Sequence, residues 1–166
     1  MPERTPAAKP NRPRRPDAPP KPERPRDELG RPLAWDAPSR LEMEDFDAQS
    51  VEENHRSGIR AFNAGRFFPA HEAWETAWKR SKGTPDEEFF KGLSQLGAGY
   101  VHHLRGNPHG AFTLLRRGVS RIRRYPSPHR DVDTEGLSTI ALRQADAIER
   151  AKLAGAATPD IELPTI

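Results

Sequence analysis

The sequence predicts an all-α protein, a compact bundle of about five helices with a disordered N-terminal tail rich in Pro and Arg. Three observations support this fold class. Apolar residues recur at three- and four-residue intervals in five stretches after residue 50, which is the period of an amphipathic helix. Pro, Gly and Asn separate these stretches at positions typical of helix starts and ends. No stretch alternates apolar and polar residues as a half-buried strand does.

The two ends of the chain differ in composition from its middle. Residues 1–40 contain 11 of the 18 prolines, many charges and few large apolar side chains. Such a segment cannot bury enough apolar surface to offset the entropy lost on ordering. We therefore expect a disordered tail over residues 1–45, a helical domain over 46–155 and an extended C-terminal tail over 156–166. A solubilising role and a polybasic arm for nucleic acid both fit the N-terminal tail.

Composition also narrows the function classes. The chain has no Cys, which excludes disulfides and thiolate metal sites. No apolar run approaches the roughly 18 residues of a membrane span, and the N-terminus lacks the hydrophobic segment of a secretory signal. We expect a cytoplasmic protein without a membrane partner.

The first two helices are predicted over residues 51–63 and 68–82. The segment Ser50-Val-Glu-Glu53 fits a capping box at the start of the first helix. Asn63-Ala-Gly65 supplies its end, because Gly and Asn tolerate the left-handed conformation. Pro69 suits the first turn of the second helix, where a missing N–H costs nothing.

Three further helices follow, and Thr84 and Asn107 can cap the free backbone N–H groups at the start of the first two. Their predicted ranges are 85–105 after Thr84, 108–124 after Asn107, and from Asp133 or Thr134 to about 154. The five helices suggest two helical hairpins followed by a C-terminal helix.

The second helix carries the most unusual polar residues of the chain. At 100° per residue, His71 and Glu75 lie about 40° apart on one face. Trp78 lies on the same face, which predicts that this face is buried, whereas Glu72 lies at its edge. A buried His–Glu pair needs partners, since an unsatisfied buried polar group costs about 1–3 kcal/mol.

The third helix offers a matching surface opposite its bulky face. Small or polar residues form a strip there, namely Gly92, Gln95, Gly99 and His102. Because a strip of small residues permits a close helix neighbour, we expect it to face the second helix. The two polar members of the strip would then lie opposite His71 and Glu75.

Two interpretations of this cluster remain open. The spacing of His71 and Glu75 is the one by which a helix offers two ligands to one metal. His102 would supply a third ligand, and Glu72 a fourth ligand or a catalytic base. Such a site suits a divalent transition metal such as Zn, Mn or Fe as the cofactor. The protein would then be a metal-dependent hydrolase. Alternatively, Glu75 accepts hydrogen bonds from His102 or Gln95, and the network fixes helix register.

The fourth helix suggests nucleic acid as a second alternative. Residues 89–130 contain eight basic residues and no acidic one, while the blocks on either side are acidic. An Arg-rich helix face can contact phosphates. The candidate residues are Arg116, Arg117, Arg121 and Arg124. Neighbouring helices of opposite charge would equally account for the pattern.

The segments FNAGRFFPAHEAWETAW, GLSQLGAGYVHHLRGN and GAFTLLRRG together resemble the signature of the domain-of-unknown-function 309 family. The resemblance covers about residues 50–125, and DELGRPL and DTEGL resemble actinobacterial members. The matching positions are Asn63, Gly65, His71, Glu72, Glu75, Trp78, Gly92, Gln95, His102, Gly106, Asn107 and Gly110. Gly97 and Gly99 depart from the Ala more usual in the family. The resemblance implies a small all-helical bundle and no established activity.

The sequence therefore favours a binding or interaction module, with its site in a polar cluster between the second and third helices. The predicted site residues are Asn63, His71, Glu72, Glu75, Trp78, Gln95, His102 and Asn107. A small ligand and a protein partner both fit such a site. The metal-dependent hydrolase and the nucleic-acid-associated protein remain alternatives.

Overall fold

The computed structural model describes residues 22–166, and five α-helices account for its regular structure over that range. They are α1 (Val51–Asn63), α2 (Phe67–Arg80), α3 (Glu87–Leu104), α4 (Pro108–Ile122) and α5 (Thr134–Leu153). Each helix packs against the next one in the chain. Within the described range there are two isolated β-bridges and no strand. The all-α prediction is confirmed.

Side-chain caps hold three helix starts in place, two of them predicted from the sequence. At α1, the Ser50 side chain accepts from the backbone N–H of Glu53, and the Glu53 carboxylate accepts from the backbone N–H of Ser50 at 2.7 Å. Asn107 caps α4 by accepting from Gly110 N at 3.1 Å. Asp133 caps α5 in the same way. Each cap satisfies a backbone N–H that the helix leaves free.

The predicted cap of α3 is wrong. The helix begins at Glu87, two residues later than expected, and Asp86 stands at the capping position. Thr84 instead donates its hydroxyl to Ser81 O at 2.7 Å, back toward the end of α2. The Glu87 carboxylate also turns back and accepts from Gly83 N at 2.8 Å. The side chains of Thr84 and Glu87, which were expected to cap the start of α3, therefore form hydrogen bonds within the short α2–α3 connection.

An aromatic cluster joins the first three helices. Phe62, Phe67, Trp74 and Tyr100 are all buried, and Phe62 packs within 4.9–5.7 Å of the other three ring centroids. Edge-on contacts of this kind suit aromatic rings because a ring edge is positive and its face negative. The cluster fixes α2 between α1 and α3.

The small strip of α3 faces α4, so the prediction that it faces α2 is wrong. A Cβ atom placed on Gly92 would lie 3.0 Å from the carbonyl oxygen of Gly118, and one placed on Gly99 would lie 2.9 Å from the Leu115 side chain. Gly118 supplies a second small residue at the same crossing, which lets the two helix backbones approach closely. Against α2, the helix presents Gly97, whose added Cβ would lie 3.1 Å from His71 Cα.

An irregular segment, residues 22–45, precedes the helices and lies against α2 and α3. Its turn is held by buried Asp27, whose carboxylate accepts from the backbone N–H groups of Leu29 and Arg31. Gly30, at φ +76°, packs on the ring of Phe68 so closely that a Cβ would lie 2.4 Å away. Residues 1–21 of the predicted tail lie outside the described residues, and the boundary at residue 46 stays a prediction.

The C-terminal residues return to the helices after α5. Gln144 donates to Glu162 O at 2.5 Å, and the same side chain accepts from the buried Tyr100 hydroxyl at 2.7 Å. Ile161 and Ile166 pack against the core. None of the five helices within residues 22–166 has the length and hydropathy needed to cross a membrane.

Candidate functional site

The first turns of α2 bring together a His and two carboxylates. One ligating atom from each of His71, Glu72 and Glu75 lies within 4.8 Å of the others. His71 Nε2 is 3.6 Å from Glu72 Oε1 and 3.8 Å from Glu75 Oε2. The three side chains are 25%, 35% and 28% exposed, so solvent and ligands can reach them.

The cluster is half-buried, whereas the sequence predicted that His71 and Glu75 lie in the middle of the buried face. The fully buried face of α2 is formed by Ala70, Ala73, Trp74 and Ala77. It is centred on Trp74, which fills the space between α1 and α3. The His–Glu pair consequently lies on one flank of that face.

The backbone of α3 fixes the orientation of His71. Its Nδ1 lies 3.0 Å from the carbonyl oxygen of Ser94 and 2.9 Å from the Ser94 hydroxyl. A carbonyl oxygen can only accept, so the neutral ring carries its proton on Nδ1. The lone pair is then on Nε2, the atom nearest the two carboxylates.

Ser94 was missed by the sequence analysis. It is buried and lies three residues before Gly97, on the α3 face that contacts α2. Its hydroxyl also lies 3.3 Å from the carbonyl oxygen of His71. A small hydroxyl residue one turn from a glycine is a signal of such a contact, although many exposed serines share it.

The two oxygens of Glu75 have different neighbours. Oε1 lies 3.0 Å from the Lys79 ammonium one turn along α2, while Oε2 faces His71. Lys79 is mostly exposed, so this pair contributes at most about 1 kcal/mol to stability. It does hold the carboxylate with one oxygen directed toward the His71 ring.

His102 does not belong to the cluster, although it was predicted as a third ligand. Its Nδ1 lies 2.9 Å from Asn107 Nδ2. Because Asn107 Oδ1 accepts from Gly110 N, the amide nitrogen must donate to His102, and the neutral ring carries its proton on Nε2. Burial, the Arg105 charge and the nearby His71 lower the pKa of His102. His102 therefore lies near His71 but presents an N–H from Nε2, not a lone pair.

Gln95 faces the opposite helix from the one predicted. Its Oε1 accepts from Arg121 Nε of α4 at 3.0 Å, and Arg121 also pairs with Glu88. The reason is the α3–α4 crossing described above: Gln95 lies beside Gly92 and Gly99, the small residues that bring α4 close. The predicted contact of Gln95 with His71 or Glu75 is wrong.

Two other predicted site residues have contacts of their own. Trp78 is half-buried with the Lys91 ammonium 4.9 Å from its ring centroid, a cation–π contact. Its buried Nε1 has no hydrogen-bond partner among residues 22–166. The Asn63 amide pairs with the backbone of Ile166, donating at 2.8 Å and accepting at 2.6 Å. Asn63 thus holds the C-terminal segment against the end of α1.

The four Arg residues predicted to contact phosphates, three on α4 and Arg124 just after it, do not form one uniform basic face. Arg116 pairs with Asp146 and Glu149 of α5, and these carboxylates raise its pKa. Arg121 pairs with Glu88 of α3. Arg117 and Arg124 are exposed and make no ion pair with the residues that the structure describes. Acidic neighbours thus neutralise half of the predicted phosphate contacts.

A second imidazole is built into the core and was not singled out by the sequence analysis. His55 of α1 is 3% exposed; its Nδ1 accepts from Trp74 Nε1 at 3.1 Å, and its Nε2 donates to the carbonyl oxygen of Arg130 at 2.8 Å. Burial lowers its pKa. Helical spacing places His55 on an inward face but does not reveal either partner, because both come from other parts of the chain.

Another ionic cluster attaches the α4–α5 loop to the start of α3. Asp86 accepts from His129 at 2.8 Å and from two nitrogens of Arg130 at 2.6 and 2.9 Å. Burial acts to raise the pKa of Asp86, but hydrogen bonds from Arg130 and His129 hold it below its usual value. The charged groups satisfy one another, so this cluster is structural.

Comparison with known proteins supports the resemblance found in the sequence. Residues 55–114 match the family model described as a domain of unknown function, DUF309. No curated protein matches the chain. The matched range spans His71, Glu72 and Glu75 and extends through the start of α4. Over residues 55–114 the chain is therefore similar to the DUF309 family.

Proposed function

We propose that the chain is a binding module that holds a divalent transition metal through His71 Nε2 and the carboxylates of Glu72 and Glu75. The hydrogen bond from His71 Nδ1 to Ser94 O carries the proposal, because it leaves the Nε2 lone pair beside both carboxylates. Metal-binding His residues almost always donate their other ring N–H to a carbonyl or a carboxylate. Ser94 supplies that partner.

The distances between the donor atoms support the same proposal. Ligand atoms about 2.1 Å from a tetrahedral zinc ion are about 3.4 Å from one another. The distances of 3.6 and 3.8 Å from His71 Nε2 to the carboxylates need only small side-chain rotations to reach that value. The two carboxylates balance the charge of a divalent ion, and one imidazole with carboxylates suits Zn, Mn or Fe.

The geometry favours binding over a register-fixing network. At 3.6 and 3.8 Å from Nε2, the carboxylates are too distant for normal hydrogen bonds. Their exposure also leaves them accessible to an ion. In the hydrolase alternative, Glu72 acts as the catalytic base. Its distance from His71 Nε2 instead supports a role for Glu72 among the metal ligands, and this favours a binding role.

Zinc titration of untagged protein tests the proposal. Calorimetry should give one Zn²⁺ per chain, and elemental analysis after desalting should agree. His71→Ala should weaken binding about 100-fold or more, and Glu75→Gln about 10-fold or more, because each removes a ligand. His102→Ala and His109→Ala, the latter an exposed His of α4, should bind zinc like the unaltered protein.

Thermodynamic stability separates metal binding from a purely structural cluster. Zinc at about 100 times its Kd should raise the free energy of unfolding of the unaltered protein by about 2.7 kcal/mol, with no such rise for His71→Ala. A structural network predicts instead that His71→Ala destabilises the metal-free protein and that zinc stabilises neither form. Zinc affinity that survives His71→Ala would contradict the proposed site.

A further inference from the structure

A cavity of about 280 Å³ adjoins the proposed metal site and shares Glu72 with it. It lies between the N-terminal segment and the first turn of α2. The other lining residues are Glu23, Arg24, Arg26, Leu41, Met43 and Phe68. The cavity thus combines two guanidinium groups, three apolar side chains and two carboxylates.

We infer that this cavity binds a small organic anion, a carboxylate or phosphate group on a short apolar body, and that it does so when a metal ion occupies the neighbouring site. The inference rests on the proposed metal site. Guanidinium groups recognise carboxylate and phosphate oxygens, which they can contact through paired N–H groups. Leu41, Met43 and Phe68 would cover the apolar body.

The charges of the cavity make anion binding depend on the metal. Without an ion, Arg24 and Arg26 are balanced by Glu23 and Glu72, so the cavity does not favour an anion. A metal ion that holds Glu72 compensates that carboxylate and leaves the cavity with a net positive charge. With three protein ligands, the ion also keeps positions that an anionic oxygen can occupy. By linkage, the anion must strengthen metal binding by the same factor.

The cavity walls are held in place before any ligand arrives. Arg26 Nη1 donates to Gly30 O at 2.7 Å, and Arg24 Nε donates to Leu33 O at 2.5 Å. A guanidinium has five N–H donors, so each arginine retains donors for a ligand. Phe68 is packed against Gly30, which fixes the apolar wall. Preorganised groups lose less entropy on binding, and this favours recognition by a small cavity.

Cavity size limits the ligand. Pockets for drug-sized ligands have volumes of about 300–1,000 Å³. A cavity of about 280 Å³ suits one ring or a short chain with a single anionic group. Benzoate is therefore a suitable probe for a carboxylate and phenylphosphonate for a phosphate-type group, and benzamide is the uncharged control of the same shape.

The test uses the full chain loaded with one equivalent of Co²⁺, whose visible spectrum reports the coordination of the ion. Benzoate or phenylphosphonate should bind in calorimetry and alter the cobalt spectrum, and benzamide should do neither. Affinity for the anion should be at least about tenfold weaker in the metal-free protein, because the cavity is then electrically balanced. The stronger of the two anions identifies the preferred head group.

Removing an acidic or a basic side chain at the cavity should change the affinity for the anion in opposite directions. Glu23→Gln removes an exposed carboxylate and should strengthen anion binding about threefold, and Arg24→Gln should weaken it about threefold, because each changes one charge near the ligand. Arg40→Gln is the matched control: Arg40 lies on the same segment but pairs with Glu28 outside the cavity. Circular dichroism should show that all three variants are folded.

The outcomes distinguish the two proposals. Stoichiometric cobalt binding without any response to benzoate or phenylphosphonate would overturn the anion site and leave the metal site standing. Anion binding of equal strength with and without cobalt would overturn the coupling to the metal. Failure of the protein to bind cobalt or zinc would refute the proposed function and, with it, this inference.

Discussion

Replacing Gly118 by Val is expected to lower the free energy of unfolding by about 3 kcal/mol or more. A Cβ atom at this position would lie 2.7 Å from Leu96 Cγ and 2.8 Å from the backbone oxygen of Gly92. The Leu96 side chain can rotate, but the Gly92 carbonyl moves only if α3 and α4 separate. The extra methyl groups of Val therefore disturb this close contact between the backbones of α3 and α4.

Ser120→Val provides the matched control, because Ser120 is exposed on the same helix and receives the same β-branched residue. It should change stability by about 0.5 kcal/mol or less, as surface substitutions usually do. Urea denaturation followed by circular dichroism measures both variants. Similar values for the two would mean that α3 and α4 do not approach as closely as the glycine contacts require.

The same crossing shows which parts of the fold local sequence signals can predict. Apolar period and capping residues define the helices, and both ends of α1 were predicted correctly because Ser50 caps its own helix and Gly65, at φ +71°, ends it. Local sequence signals could not predict which helix packs against each face of α3. Both Gly92 and Gly97 allow close approach, and sequence periodicity does not say which faces α2. Gln95 was therefore assigned to the wrong helix and Ser94 was missed.

In the candidate site too, the sequence predicts what is set within one helix but not what depends on contacts between helices. His71 and Glu75 lie together because they are one helical turn apart, which the sequence predicts without any tertiary information. The role of His102 depends on the Asn107 amide, whose orientation is set by the first turn of another helix. Helical spacing cannot supply that information. The Asn107 contact matters for chemistry because it fixes which nitrogen of the His102 ring carries the proton, and a protonated ring nitrogen cannot bind a metal.

Replacing His55 by Ala is expected to destabilise the protein by about 3 kcal/mol at pH 7.5. The substitution removes the acceptor of the buried Trp74 N–H and the donor to the Arg130 carbonyl, and it leaves a cavity between α1, α3 and the α4–α5 loop. Urea denaturation measures the loss. His109→Ala, at an exposed position, should stay within about 0.5 kcal/mol of the unaltered protein.

His55 should also make stability depend on pH. Burial holds its pKa below the ordinary value of 6.5, and its Nδ1 must remain unprotonated to accept from Trp74. Above pH 6.5, folded and unfolded chains both keep this ring neutral. As the pH falls below 6.5, the unfolded chain binds a proton that the folded chain does not, so the free energy of unfolding decreases until the folded-state pKa is reached.

The effect of His55 is separated from that of the other histidines by comparing, in two variants, how steeply the free energy of unfolding falls with pH. Burial also lowers the pKa of His102 and of His103, so these rings add to the loss of stability over the same pH range. The free energy of unfolding of His55→Ala should therefore fall less steeply between pH 7 and pH 5 than that of His109→Ala, without becoming flat. Equal slopes would show that the folded protein does not shift the pKa of His55. The expected difference follows from burial of a neutral imidazole whose acceptor nitrogen serves a buried Trp.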